Sequence, residues 1–269
     1  MVYKIRDNIL AISEPRYYQG KFSYLVVGER KALLIDAGAT AKHDIAAVVN
    51  ALTAKPVAVL PTHLHFDHLG GLARFDDVWL PDTSTLAGFK QAGGAYHIPA
   101  AYTFGYFEQL GPTVVTPARL VPLESVIDLG GVSLKVVHAP GHSPDGVVIY
   151  DQTDNVLFTG DYLYPKNLYS SDTAAYAAAT EKILALTNED TLLLGAHEHS
   201  SPDAGVPAMP RAYLQDLKNF FVNLANGTAQ REAYARKNSD IKSALRYKVN
   251  SKISFLEEIV WTDGTAFKH

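Results

Sequence analysis

The sequence predicts an α/β protein, and three observations carry that prediction. Short apolar runs bounded by Gly, Pro or Asp recur along the chain, as buried strands require. Segments with apolar residues at helical spacing lie between them. Strand–helix–strand also occurs twice, each time with an acidic residue closing the first strand and a histidine following the second. At 269 residues and 47% apolar content, the chain can bury the core of one large α/β unit.

The strand runs are Ala32–Ile35, Val57–Leu60, Val126–Leu129, Val132–Val137, Val147–Tyr150, Val156–Thr159 and Thr191–Leu194. Gly130-Gly131 marks a tight hairpin turn between two of them, and Asp151–Asn155 a longer one. Helical spacing covers Asp44–Leu52, with Ile45, Val48, Val49 and Leu52 on one face, and recurs in Thr173–Leu186 and Arg211–Leu224. The first repeat runs strand, Asp36-Ala37-Gly38, helix, strand, His63. The second runs strand, Gly160-Asp161, helix, strand, His197. Strand C-termini are where open α/β sheets place ligands, so the chain is expected to bring two half-sites to one edge. Repetition alone is also what any α/β protein shows.

Residues 81–122 interrupt the rhythm with Tyr96, His97, Tyr102, Phe104, Tyr106 and Phe107 among glycines and prolines. They read either as a lid or substrate wall or as a small helical subdomain packed on the surface. The extension 207–269 reads as one amphipathic helix, a polar segment and the strand-like Ile253–Trp261, with contacts to the site or to a second subunit left open.

Charge and composition exclude several classes. The net charge of −4 offers no basic surface for nucleic acid or an anionic membrane. No apolar run approaches the roughly 20 residues of a membrane span. The N-terminus lacks the order of a signal peptide. A cytoplasmic location is therefore expected, with a processed exported protein left open. No cysteine is present, which removes disulfides, thiolate catalysis and cysteine-ligated metal. A transition-metal site here must use His, Asp and Glu, a set that suits zinc, iron or manganese.

The stretch THLHFDH, residues 62–68, concentrates that chemistry. His63 and His65, two apart on an extended segment, point the same way. Asp67 and His68 follow before Gly70-Gly71, where the backbone can turn and aim the second pair elsewhere. A hydrolytic zinc wants about three protein ligands and a water, so four groups this close suggest two ions.

Residues 63–68 match the His-x-His-x-Asp-His motif of the metallo-β-lactamase superfamily, which the chain resembles. Asp36 in LLIDAG, His142 in APGHS, Asp161 in FTGD and His197 in LLLGAHE follow that family's pattern between residues 32 and 199. The resemblance implies a four-layer αβ/βα sandwich, a single metallo-hydrolase domain over residues 1–269, and two Zn2+ ions, with Fe or Mn as alternatives. It implies that His63, His65 and His142 bind one ion, that Asp67, His68 and His197 bind the other, and that Asp161 bridges both. Asp36 then supports the ligand loop rather than ligating. His199 competes with His197, which is preferred because it directly ends the strand. His43 and His269 read as surface residues, His138 as packed or hydrogen-bonded, and His97 as a residue that can meet substrate.

Two such ions acidify a shared water toward pH 7 and hold charge growing on a carbonyl oxygen. The implied reaction is hydrolysis of a small-molecule thioester, ester or lactone. Asp67 is a candidate to orient the nucleophile or pass a proton. Tyr164, three residues after Asp161, is either an oxyanion donor or a packing aromatic. The alternatives are β-lactam or phosphodiester hydrolysis and an iron-dependent, oxygen-using relative. Bridging Asp161 disfavours the first, the absence of basic charge the second, and the lack of room for a flavin domain the flavodiiron form of the third. Arg231, Arg236, Lys237 and Arg246 are candidates for the basic glutathione pocket found in glyoxalase II.

Overall fold

The computed structural model describes residues 1–14, 20–39, 43–198, 205–234 and 241–267. Its first sheet runs β1 (Val2–Lys4), β2 (Ile9–Glu14), β3 (Gly20–Val27), β4 (Ala32–Ile35) and β5 (Val57–Leu60) in that order. The second runs β10 (Val126–Asp128), β11 (Ser133–His138), β12 (Val147–Asp151), β13 (Val156–Gly160), β15 (Leu192–Gly195) and β17 (Ala208–Pro210). Only β4/β5 and β13/β15 pair in parallel within these two sheets. A parallel pair needs a crossover, supplied by helix α1 (Ile45–Leu52) in one case and α5 (Thr173–Leu186) in the other.

Why the strands read as unbroken apolar runs follows from their two buried faces. Leu33, Ile35, Tyr24 and Phe22 of the first sheet meet Val136, Ile149, Val156 and Phe158 of the second in the inner core. The alternate residues face outward: Leu25, Leu34 and Val59 pack on Ile45 and Val49 of α1. Val148, Leu157 and Leu193 pack on Tyr176 and Ile183 of α5 and on Leu214, Leu217, Phe220 and Phe221 of α6 (Ala212–Ala225). Helix, sheet, sheet and helix make the expected αβ/βα sandwich. Caps set the crossover helices: Asp44 accepts from the Ala47 N–H and Asp172 from the Ala175 N–H.

In sequence between the two sheets, residues 79–122 form two small two-stranded sheets joined by one-turn helices. They are β6 (Trp79–Asp82) beside β9 (Arg119–Pro122), and β7 (Tyr96–Ile98) beside β8 (Thr113–Val115). A third sheet gathers the tail: β14 (Lys166–Tyr169), β20 (Ile253–Trp261), β19 (Ile241–Lys248) and β18 (Arg231–Glu232). The stretch read as a polar segment therefore contains the strands β18 and β19, and the half-exposed face of β19 hides its alternation. Among the described residues no helix is long and apolar enough to cross a membrane.

Candidate metal centre

Asp67 and His68 sit on a one-turn helix, and the other residues of the site follow the C-terminal end of a strand or sit in the loop beside one. Asp36 ends β4, His63 and His65 follow β5, Asp161 follows β13 and His197 follows β15. His142 lies in the loop between β11 and β12. Gly160 takes φ +52°, and a Cβ there would lie 2.6 Å from Thr62 Oγ1, so glycine lets the two ligand-bearing strands close on each other.

The seven side chains fall into two groups. The candidate ligand atoms of His63, His65 and His142 lie within 4.8 Å of one another, and so do those of Asp67, His68, Asp161 and His197. Asp161 faces both. Its Oδ1 lies 3.3 Å from His68 Nε2 and 3.2 Å from His197 Nε2, while its Oδ2 lies 3.6 Å from His142 Nε2. Asp67 Oδ2 stands 3.2 Å from His197 Nε2. All are buried except Asp67, whose side chain is 13% exposed. His63 Nε2 is buried and makes no hydrogen bond among the described residues. A buried, unpaired acceptor costs about 1–3 kcal/mol, so the donor set fits cations better than it fits itself.

One detail of the cluster differs from expectation. The turn that separates the first pair from the second is not at Gly70-Gly71 but at the one-turn helix α2 (Phe66–Leu69), entered through extended His65 at ψ 148°. Gly71 serves packing instead, since a Cβ there would lie 2.6 Å from Ile45 Cγ2 and 2.7 Å from the Ala37 carbonyl oxygen.

Support beneath the cluster is equally specific. Asp36, at φ +64°, accepts from the Thr62 N–H at 2.7 Å through Oδ1 and lies 2.7 Å from His68 Nδ1 through Oδ2. This holds His68 with Nε2 toward the cluster. His142 Nδ1 donates to the Tyr169 carbonyl at 3.0 Å, which fixes its tautomer and frees Nε2 for a ligand. His138 bonds the Pro144 carbonyl through Nε2. His43 is half-buried and His97 exposed on β7. His199 and His269, with Arg236 and Lys237, lie outside the described residues. Arg231 is exposed, and Arg246 pairs with Glu232 and Ser254.

Two residues essential to this architecture escape a reading of motifs. Lys21 is wholly buried, with Nζ 2.7 Å from His68 Nε2 and 3.9 Å from Asp36 Oδ2. It sits opposite His197 in the pairing of β3 with β16 (His197–Glu198). Its only signal is a lone charge in the apolar strand KFSYLVV. Asp145, 2% exposed, accepts from the Leu64 N–H at 2.8 Å and from the Tyr102 hydroxyl. It thereby ties the loop between His63 and His65 to the 81–122 segment. Burial raises its pKa, against those hydrogen bonds. Asp145→Ala should cost about 3 kcal/mol, because a charged acceptor goes and a buried N–H is left unpaired. Urea unfolding would register this; a loss below 0.5 kcal/mol, on the order of a neutral surface change, would deny the tie.

The two groups differ in charge. Burial, with His68 beside it, holds His63 well below its ordinary pKa. Burial also lowers His142, against the pull of Asp161. Both rings therefore offer neutral lone pairs. Burial alone would lower His68 too, but Asp36, Asp67 and Asp161 outweigh it and push the ring up to about 9. His197 is raised in the same way, chiefly by Asp161. In the metal-free protein these protons and Lys21 offset the buried carboxylates. A proton held more tightly folded than unfolded stabilises fully below the unfolded pKa of 6.5, and that contribution is lost as pH rises through about 9. Metal-free protein should therefore lose stability across that window. Zinc affinity of the Asp67/His68/Asp161/His197 group should rise over the same range as proton competition falls. Chelator-competition titrations at pH 6.5 and 9 test this; an affinity flat with pH would refute it.

Comparison with known proteins agrees with this geometry. Residues 19–199 match the Metallo-beta-lactamase superfamily. The acyl-coenzyme A thioesterase MBLAC2 of Gallus gallus is 26% identical over 218 residues, 68% of this chain and 74% of that protein. A hydroxyacylglutathione hydrolase of Aeromonas hydrophila is 28% identical over 189 residues, 68% of this chain and 63% of that one. Among solved structures, a metallo-beta-lactamase from Pontibacter korlensis superposes with a TM-score of 0.60 at 20% identity, covering 83% of this chain and 99% of its own. The BLEG-1 B3 metallo-beta-lactamase does so at 0.58 and 24%, covering 75% and 94%; at these identities the likeness is one of fold. With its two half-sites on one edge of the sandwich and its matched span enclosing all seven side chains, the chain belongs to the metallo-beta-lactamase superfamily of hydrolases.

Proposed function

We propose that this protein is a dinuclear, metal-dependent hydrolase of carbonyl substrates, with thioesters preferred over other esters and lactones. The observation that carries the reading is Asp161, whose two carboxylate oxygens face the two histidine groups separately. The donor set is wholly nitrogen and oxygen, which suits zinc, with iron or manganese as the other candidates. Two such ions, when bound, acidify a water to near neutrality and polarise the carbonyl. The named activities of the relatives MBLAC2 and hydroxyacylglutathione hydrolase favour thioesters.

The protein's own groups then divide the work. His63, His65 and His142 enter as neutral rings, with His142 locked by the Tyr169 carbonyl. Asp67, the least buried of the seven, would orient the nucleophile; against burial, His68, Lys21 and His197 hold its carboxyl well below the usual carboxylate range, which suits a charged acceptor better than a proton carrier. Tyr164 lies with its ring 5.3 Å from His197 and is 1% exposed. Burial and the charge of Asp161 hold its phenol well above the ordinary tyrosine pKa, so it stays a neutral donor. We assign it to the developing oxyanion and to the posture of His197. Tyr164→Phe should lower kcat about a hundredfold, the low end for a lost oxyanion donor, and leave metal content intact. Unchanged turnover would remove it from the mechanism.

Zinc-loaded protein assayed against acyl thioesters, lactones, β-lactams and phosphodiesters tests the class. Highest kcat/KM on a thioester is expected. A phosphodiester or β-lactam turned over best would overturn the reading, and one stoichiometric iron in protein purified without added zinc would favour oxygen chemistry.

A further inference from the structure

The two sides of the metal centre are built from different materials. Around His68 and His197 stand Lys21, Asp36 and Tyr164. Around His65 and His142 stands a layer of rings. Phe104 meets His65 edge-on at 5.0 Å, Phe267 lies 5.6 Å from His142, and the two phenyl rings stack at 5.1 Å and 14°. Trp261 lies 6.1 Å from Phe104 and 6.0 Å from Phe267. Ile241, Leu256 and Ile259 back the layer, and Phe66, next to Asp67, packs on it.

This layer is assembled from distant pieces. Phe104 comes from the 81–122 segment, while Trp261 and Phe267 come from the tail, and the Tyr106 hydroxyl and Thr265 Oγ1 join the two at 3.2 Å. Phe104 takes φ +55°, a left-handed conformation that a non-glycine residue adopts at a cost. Such expense is commonest where a side chain must be aimed at a ligand. The indole N–H of Trp261 is buried and has no acceptor among the described residues, so a ligand's oxygen would satisfy it.

The geometry points to an acyl-binding wall: Phe104, Trp261 and Phe267 receive the apolar acyl group of the substrate on the His65/His142 side. The class selected is a medium or longer acyl chain rather than acetyl. A carbonyl substrate must present its two halves to two sides of the metal pair, and this side is faced by phenyl rings, whereas the other carries the charged groups of Lys21 and Asp36. Each buried methylene is worth about 0.8 kcal/mol, or roughly fourfold in affinity. The assignment rests on the proposed hydrolysis for its kinetic consequence, but not for its binding consequence.

Two measurements separate them. Trp261 is one of two tryptophans in the chain, and Trp79, the other, is packed in the inter-sheet core. Titrating the zinc-loaded wild-type protein with decanoate should give a saturable change in tryptophan emission, with none for acetate at equal concentration. Phe267→Ala should weaken decanoate binding about tenfold, and Phe267→Leu, which keeps an apolar residue in place should the alanine variant fail to fold, should weaken it less. No emission change with decanoate, or wild-type affinity in both variants, would overturn the wall. In the second measurement, kcat/KM for straight-chain acyl thioesters should climb from two to eight carbons, and Phe267→Leu should flatten the climb. A profile falling with chain length would also overturn the wall. Decanoate binding without hydrolysis of any thioester would sink the proposed reaction and leave the wall standing.

Discussion

Asp161→Asn should reduce hydrolysis by about 10³-fold or more, equivalent to roughly 4 kcal/mol of lost transition-state stabilisation, and should lower bound metal from two ions toward one. The reason lies in its two oxygens. Oδ1 stands between His68 and His197, and Oδ2 faces His142, so this carboxylate reaches both groups. An amide keeps the shape and one oxygen but removes the charge and places a nitrogen donor where a ligand lone pair is required. His63, His65 and His142 remain as a complete three-nitrogen set, which predicts that one ion stays. Metal analysis and turnover on the same preparation decide the point. Two ions retained with full activity would mean that the carboxylate is incidental.

Asp36→Ala should produce the largest loss of stability, about 3–5 kcal/mol, as when one partner of a buried ion pair is removed. Asp36 accepts from Thr62 and faces His68 and Lys21, all three buried. Its pKa is lowered although burial alone would raise it, because His68 and Lys21 win. Removing it leaves a wholly buried ammonium without its carboxylate and frees the ring that carries Nε2 into the cluster. For a chain of this size the melting temperature should fall by roughly 10 °C. Asp36→Asn separates structure from charge, since asparagine tolerates the φ of +64° seen here and can still accept from Thr62. It should recover part of the stability and little of the affinity for the second ion. Thermal melts and zinc titrations of both variants test this; an alanine variant as stable as wild type would contradict the account.

Much of this is legible in the sequence itself. The apolar runs mark eight of the strands: β4, β5, β12, β13 and β15 are buried along nearly their whole length and carry no polar alternation, while β10, β11 and β20 stand out by apolar content although one face is partly open. The seven cluster residues were legible because ligand chemistry restricts the residue types and strand ends restrict their positions. Strands β2 and β3 do not stand out, since Lys21, Ser23 and Glu14 interrupt their apolar character although all three are buried, and Lys21 reaches into the cluster. Lys21 shows the limit clearly: a charge in a strand reads as a solvent-facing residue until the partner that justifies its burial is known. Asp145 sits three residues after His142 in a loop where an aspartate needs no explanation, and only its reach to Leu64 reveals its part. The joint surface of Phe104 and Phe267 was invisible for a different reason, because pairwise packing across 163 positions leaves no local pattern.

The most direct test of the dinuclear centre is anomalous diffraction from crystals of the zinc-loaded protein. Two peaks about 3.5–4 Å apart are expected, one within about 2.0–2.2 Å of His63, His65 and His142 nitrogens, the other equally close to Asp67, His68 and His197, with one Asp161 oxygen on each. A single peak at full zinc occupancy, or an Asp161 carboxylate directed away from both histidine groups, would contradict it.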